Sequence, residues 1–250
     1  MAFNDPFSTA QMQAQTRATE MDAGLRAYML RIYNYMASAL ALTGIVALFA
    51  ANSEPVLRLL YTTNEMGQMT GMSGLGWLVA FAPLIMILTM SFGVNRMSLV
   101  ALQATFWGFA SVMGLSLSSV FLMYTGESIA RVFFITAGTF GGMSLYGYTT
   151  KRDLSGFGSF LIMGLIGLIL ASIVNIFLQS SALNFALSVI GVFIFIGLTA
   201  YDTQKLKTMY YQLAGTGEMM AKASIMGALN LYMDFINMFL YMLRFFGDRR

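Results

Sequence analysis

Seven apolar runs of about twenty residues fill most of this chain, and their length decides what it can fold into. They lie at roughly Tyr28–Ala51, Gly74–Val94, Leu99–Tyr124, Ile129–Tyr148, Phe157–Leu178, Leu183–Asp202 and Ala223–Leu243. About twenty apolar residues in a helix cross the roughly 30 Å hydrocarbon core of a bilayer, and a helix satisfies its own backbone polar groups there. Only 10% of residues are charged and 58% are hydrophobic, with a mean hydropathy of +0.70. Soluble domains carry about 25% charged residues. The expected fold class is therefore all-α: a polytopic membrane protein with seven transmembrane helices.

The residue types that are missing narrow the chemistry. Without cysteine there is no disulfide, thiolate nucleophile or zinc cluster. Without histidine the chain lacks the usual general base and near-neutral switch, so pH sensing falls to carboxylates. The 22 methionines lack the clustering of a soft-metal site and read as packing filler. No cofactor is expected. The net charge of +3 is scattered over the connections and does not point to nucleic acid. Glycines within spans suggest close helix packing, with Gly138 and Gly142 spaced as a small-xxx-small pair and Gly164 and Gly167 on one side of the fifth span. No internal repeat is evident, which disfavours an inverted-repeat transporter.

Residues 1–27 are polar and lack the pattern of a cleaved signal peptide, so a mobile cytoplasmic tail is expected there. Residues 28–250 form the expected seven-helix transmembrane domain. The connection Asn52–Ser73 carries Pro55, Asn64, Gly67 and Gly71 as breakers, and its piece Val56–Tyr61 suits the membrane interface. Lys205–Lys222 reads as a basic connection broken at Gly215 and Gly217, whereas Gln179–Leu183 permits only a tight hairpin. With the N-terminus inside, nine basic residues face the cytoplasm (Arg17, Arg26, Arg31, Arg96, Lys151, Arg152, Lys205, Lys207 and Lys222) and two face out (Arg58 and Arg131). That asymmetry sets the orientation. Arg244, Arg249 and Arg250 fall outside if the last segment spans and inside if it re-enters; its uninterrupted length favours spanning.

The strongest chemical signal is a pair of aspartates on consecutive spans. Asp202 closes the sixth run and Asp234 stands in the middle of the seventh. A carboxylate in a membrane helix costs roughly 2.5–3.5 kcal/mol on insertion scales, so it faces protein or water and marks function. In the last span Gly227, Asn230, Asp234, Asn237 and Tyr241 follow at helical steps and form a polar stripe, which argues for a central last helix with the other six around it. Thr199 and Asp202 share a face of the sixth span beside Tyr201. If the aspartates are opposite one another they share a proton and titrate as a coupled unit. The alternative for Asp202, next to Thr203, Gln204 and Lys205, is a helix-end role. Arg96, just after the second span, is either a cationic partner of the pair or a topology signal.

The segments Gly197-Leu198-Thr199-Ala200-Tyr201-Asp202-Thr203-Gln204 and Leu229-Asn230-Leu231-Tyr232-Met233-Asp234-Phe235-Ile236-Asn237 closely resemble the signature of the Bax inhibitor-1, or transmembrane Bax-inhibitor motif, family. Phe109–Ser118, with Gly114-Leu115-Ser116-Leu117-Ser118, is similar to that family's third span. Lacking a basic eukaryotic-type tail, the chain resembles a bacterial member, located in the plasma (inner) membrane. The resemblance implies a central last helix and a pH-sensitive calcium leak gated by a di-aspartyl pair, here Asp202 and Asp234. It also implies an arginine latch, for which Arg96 is the candidate.

The expected function is accordingly a pH-sensitive calcium (cation) leak channel and not an enzyme. Calcium would be the permeant ion, transient at Asp202 and Asp234, because a resident calcium site wants six to eight oxygens. Two other classes compete. One is a non-conducting regulator that binds a membrane protein such as a quality-control protease. The other is an intramembrane aspartyl protease, whose Tyr-Asp element Tyr201-Asp202 matches. Its glycine-x-glycine-aspartate element does not, since Leu231-Tyr232-Met233 precedes Asp234.

Overall fold

A computed structural model describes residues 6–64 and 69–250, with side chains from residue 20 onward except at Thr63 and Met69. The apolar runs all become helices. Helix α1 (Pro6–Asn52) is followed by a short α2 (Glu54–Leu60), strands β1 (Tyr61–Thr63) and β2 (Met69–Met72), and helices α3 (Gly74–Gly93), α4 (Leu99–Ser116) and α5 (Ser118–Met123). Helices α6 (Gly126–Thr149), α7 (Ser155–Leu178), α8 (Ser181–Leu213) and α9 (Gly217–Phe246) complete the chain. Seven stretches are long and apolar enough to cross a membrane: Glu20–Asn52 of α1, α3, α4 with α5, α6, α7, α8 and α9. Ser73, Ser98, Thr125 and Ser180 each cap the helix that follows by accepting a backbone N–H, as start signals of this type do.

Three boundaries differ from the sequence expectation. Helix α1 begins at Pro6, and Leu25 is already buried against the bundle, so packing starts before the first apolar run. Residues 1–5 of the expected tail lie outside the described residues. Between the first two spans, β1 and β2 pair antiparallel (Tyr61 with Met72, Thr62 with Gly71), a small sheet in an otherwise helical chain; Gly67 lies outside the described residues. The largest difference is at Lys205–Lys222, where helix α8 runs on to Leu213 and only residues 214–216 connect it to α9. The polar sequence there is amphipathic helix: Leu206 and Tyr210 are buried while Lys205 and Thr208 are exposed. Positive φ at Gly215 (+89°) and Gly217 (+24°) makes the tight reversal, a conformation that L side chains rarely adopt.

Helix α9 is the axis of the molecule. Of its most apolar 18-residue stretch 72% is buried, against 11% for α7. It packs directly on α1, α4, α6 and α8, while α3 lies outside α4 and α7 outside α8. The wrapping is thus by four helices with two more in an outer layer, not by six equivalent ones. Lipid-facing apolar side chains such as Phe92 and Phe177 remain exposed, as expected where the solvent is hydrocarbon. The third span bends at Leu117, where the Ser118 hydroxyl bonds back to the carbonyl of Leu115 and ends α4.

The last segment is one unbroken helix, long and apolar enough to cross a membrane. Beyond α9 the chain docks on the α5–α6 turn: the Thr125 N–H donates to the Asp248 carbonyl (3.1 Å) and the Arg250 N–H to that of Met123 (3.0 Å). The Asp248 N–H donates to Ser128 Oγ (2.9 Å), and Arg131 pairs with the Asp248 carboxylate at 2.8 Å. This is the end opposite the α8–α9 connection.

Of the predicted close-approach glycines only Gly164 packs tightly, where a Cβ would stand 3.3 Å from Ile194 Cδ1. Gly138, Gly142 and Gly167 have open space where a Cβ would stand. At Gly147 a Cβ would overlap the backbone carbonyl of Ala200, so that glycine lets α6 lie directly on α8 beside Tyr201 and Asp202.

Candidate functional site

The two predicted carboxylates come together. Asp202, half-buried on α8, and Asp234, buried at 5% exposure on α9, stand within hydrogen-bonding reach of each other. Asp234 Oδ2 has no hydrogen-bond partner although it is fully enclosed. Two carboxylates present only acceptors to one another, so their contact is favourable only with a proton held between them or a cation bridging them. This is chemistry the rest of the core does not share.

The remaining predicted residues divide. Thr199, fully buried, donates its hydroxyl to the Phe195 carbonyl at 2.8 Å and serves α8 itself. The Tyr201 ring occupies the space left by Gly158 on α7. Asn237 donates to the Met233 carbonyl (2.8 Å), and Tyr241 stacks on Phe195 with ring centroids 5.9 Å apart. Asn230 is exposed, so the stripe on α9 is buried at Asp234 and open at Asn230. Arg96 does not join the site. It is exposed in the α3–α4 turn and forms no ion pair with either aspartate among the described residues. The cation acting on Asp202 is Lys205, one turn along the same helix, with its ammonium 5.9 Å from the centre of the Tyr201 ring. Proximity to a helix end made Arg96 a candidate; the direction in which a turn residue points is not written in the chain.

Two hydroxyl chains flank the carboxylates. Thr203, next to Asp202, donates to the Thr199 carbonyl (2.8 Å), which leaves Ser144 of α6 to donate to Thr203 (3.0 Å) and Tyr33 of α1 to donate to Ser144. Thr43 of α1 donates to the Ala110 carbonyl of α4 (2.8 Å) and accepts from Tyr232 of α9 (2.8 Å). Each chain joins three helices, and in each the direction of donation is fixed by the terminal carbonyl. Sequence reasoning passed over them, because a lone hydroxyl in an apolar run is ordinary. The one available sign was that Thr199 and Thr203 repeat at a helical turn beside Asp202.

Fold and site together define a multi-pass integral membrane protein that buries a carboxylate pair between its sixth and seventh spans. The model of a family described as "Inhibitor of apoptosis-promoting Bax1" matches residues 25–250, and the chain belongs to that family. An uncharacterized protein of Rickettsia prowazekii is 51% identical over 97% of this chain and 98% of its own length. Inner membrane protein YbhL of Escherichia coli is 49% identical over 91% of this chain and 94% of its own length. A protein of Caulobacter vibrioides is 51% identical over 92% of each chain. The seven spans agree with the membrane location carried in the name of the Escherichia coli relative.

Proposed function

We propose that this protein is a pH-sensitive cation leak of the bacterial inner membrane, with calcium as the permeant ion and the Asp202–Asp234 pair as its gate. The observation that carries the reading is the contact of two carboxylates on neighbouring helices, one of them fully enclosed with an unpartnered oxygen. With one shared proton the pair ties α8 to α9. Full protonation removes the charge-assisted bond, and full ionisation replaces it by repulsion, so either change loosens the tie. Lys205 sets the field at Asp202 from the cytoplasmic side. The activity is transport, and no covalent chemistry is assigned to the pair.

Calcium uptake into proteoliposomes over a range of pH tests this. Wild type should conduct with a pH-dependent rate, while Asp202→Asn and Asp234→Asn should each flatten that dependence. The double variant should resemble the singles, because one coupled unit is lost only once. Additive effects would mean that the residues act separately. Absence of flux at every pH would move the assignment to a non-conducting regulator of another membrane protein, and peptide hydrolysis in the same vesicles would move it to a protease.

A further inference from the structure

A cavity of about 580 Å³ opens at the cytoplasmic end, between the loop joining α6 to α7 and the carboxy-terminal end of α8. Four cations line it: Lys151 and Arg152 from the loop, Lys205 and Lys207 from the helix. None of them forms an ion pair among the described residues, where the three pairs lie elsewhere. The single carboxylate in the lining, Asp153, accepts from the Ser155 N–H at 2.9 Å. Hydrogen bonds from Ser155, its hydroxyl first and then its backbone N–H, hold the Asp153 carboxyl below the usual range, so it stays ionised and the cavity keeps a net positive charge.

The walls are built. Gln204 clamps the loop to α8 by donating to the Arg152 carbonyl (2.7 Å) and accepting from the Leu154 N–H (2.8 Å). Lys207 is anchored on the Tyr148 carbonyl at 2.8 Å. Like charges gathered in one lining repel unless an anion joins them, and the bonds that fix Lys207 and the loop backbone do not neutralise this cluster. Its depth is that of the membrane surface, because the loop connects two spans and Tyr201 and Tyr211 border the opening. Basic pockets at this level between membrane helices suit lipid phosphate groups.

We propose that this cavity binds the phosphate of an anionic phospholipid headgroup from the cytoplasmic leaflet. The test is native mass spectrometry of the purified full-length protein with phosphatidylglycerol or phosphatidylcholine of matched chains. Wild type should retain phosphatidylglycerol preferentially, and Lys151→Gln/Arg152→Gln should lose roughly tenfold in that occupancy. The charge-keeping Lys151→Arg/Arg152→Lys pair should retain it, as should Arg58→Gln at the outer end. Matching thermal melts of the variants would establish that the fold is intact. Equal retention by wild type and the glutamine variant, or no preference over phosphatidylcholine, overturns the site. Displacement of phosphatidylglycerol from wild type by inorganic phosphate would assign the cavity to a soluble phosphate and overturn the lipid source.

Discussion

Tyr232 on α9 donates its hydroxyl to Thr43 on α1 across 2.8 Å at the centre of the bundle, and Thr43 passes its own hydrogen to Ala110 of α4. The arrangement is asymmetric, so the two ends should respond differently to removal. Tyr232→Phe deletes one donor and leaves Thr43 bonded to Ala110; interhelical bonds in membranes average about 0.6 kcal/mol and reach about 1.7. Thr43→Val strands the buried tyrosine hydroxyl, which costs about 1–3 kcal/mol. Unfolding in lipid or detergent should therefore rank Thr43→Val as the costlier change. The reverse order would mean that the hydrogen points the other way.

Gly147 separates close approach from mere composition. Gly147→Ala should destabilise by about 1–3 kcal/mol, the usual cost of overpacking, and disturb the pH response by displacing α8 next to Asp202. Gly142→Ala on the same helix meets open space and should melt like wild type. Equal melting of the two variants would show that α6 and α8 are not in backbone contact there.

Lys205 and Arg96 give a paired comparison. Lys205→Gln should move the pH profile of flux, since its charge acts on Asp202. Arg96→Ala should leave flux and profile unchanged, because the residue is exposed and unpaired with the aspartates. A raised basal leak in Arg96→Ala would restore the latch that its position next to the second span suggests.

Topology can be read with single cysteines, as the native chain has none. A cysteine at Thr216, in the α8–α9 connection, should resist an impermeant maleimide in spheroplasts. One at Arg250, beyond α9, should be labelled from outside. Protection at both positions would mean that the last helix re-enters.

What could be read from the sequence followed the bilayer. Hydrocarbon thickness imposes a length on every span, so all seven were visible as runs, and a carboxylate in such a run is costly enough to mark Asp234. Beyond the hydrocarbon that constraint ends. Lys205–Leu213 is polar by composition and helical by its buried Leu206 and Tyr210, a distinction that depends on what lies beside it. Gly142 and Gly147 look equivalent in the chain and differ only in what faces them. The partner of Asp202 among the cations is likewise a matter of direction: Arg96 leaves a helix end into solvent, whereas Lys205 continues the helix that bears the aspartate.

The central position of α9 also bears on how the protein is made. The helix in the middle leaves the ribosome after the other six spans, so α1, α4, α6 and α8 enter the membrane before their shared partner exists. Until then the faces carrying Thr43, Phe109 and Leu206 have only each other, lipid or water to meet, although in the finished protein they lie against Tyr232 and Gly227. The interior therefore closes only once α9 has been made. A premature stop anywhere before Gly217 removes the middle of the molecule and leaves its rim, so even late nonsense mutations should yield chains that are cleared by proteolysis.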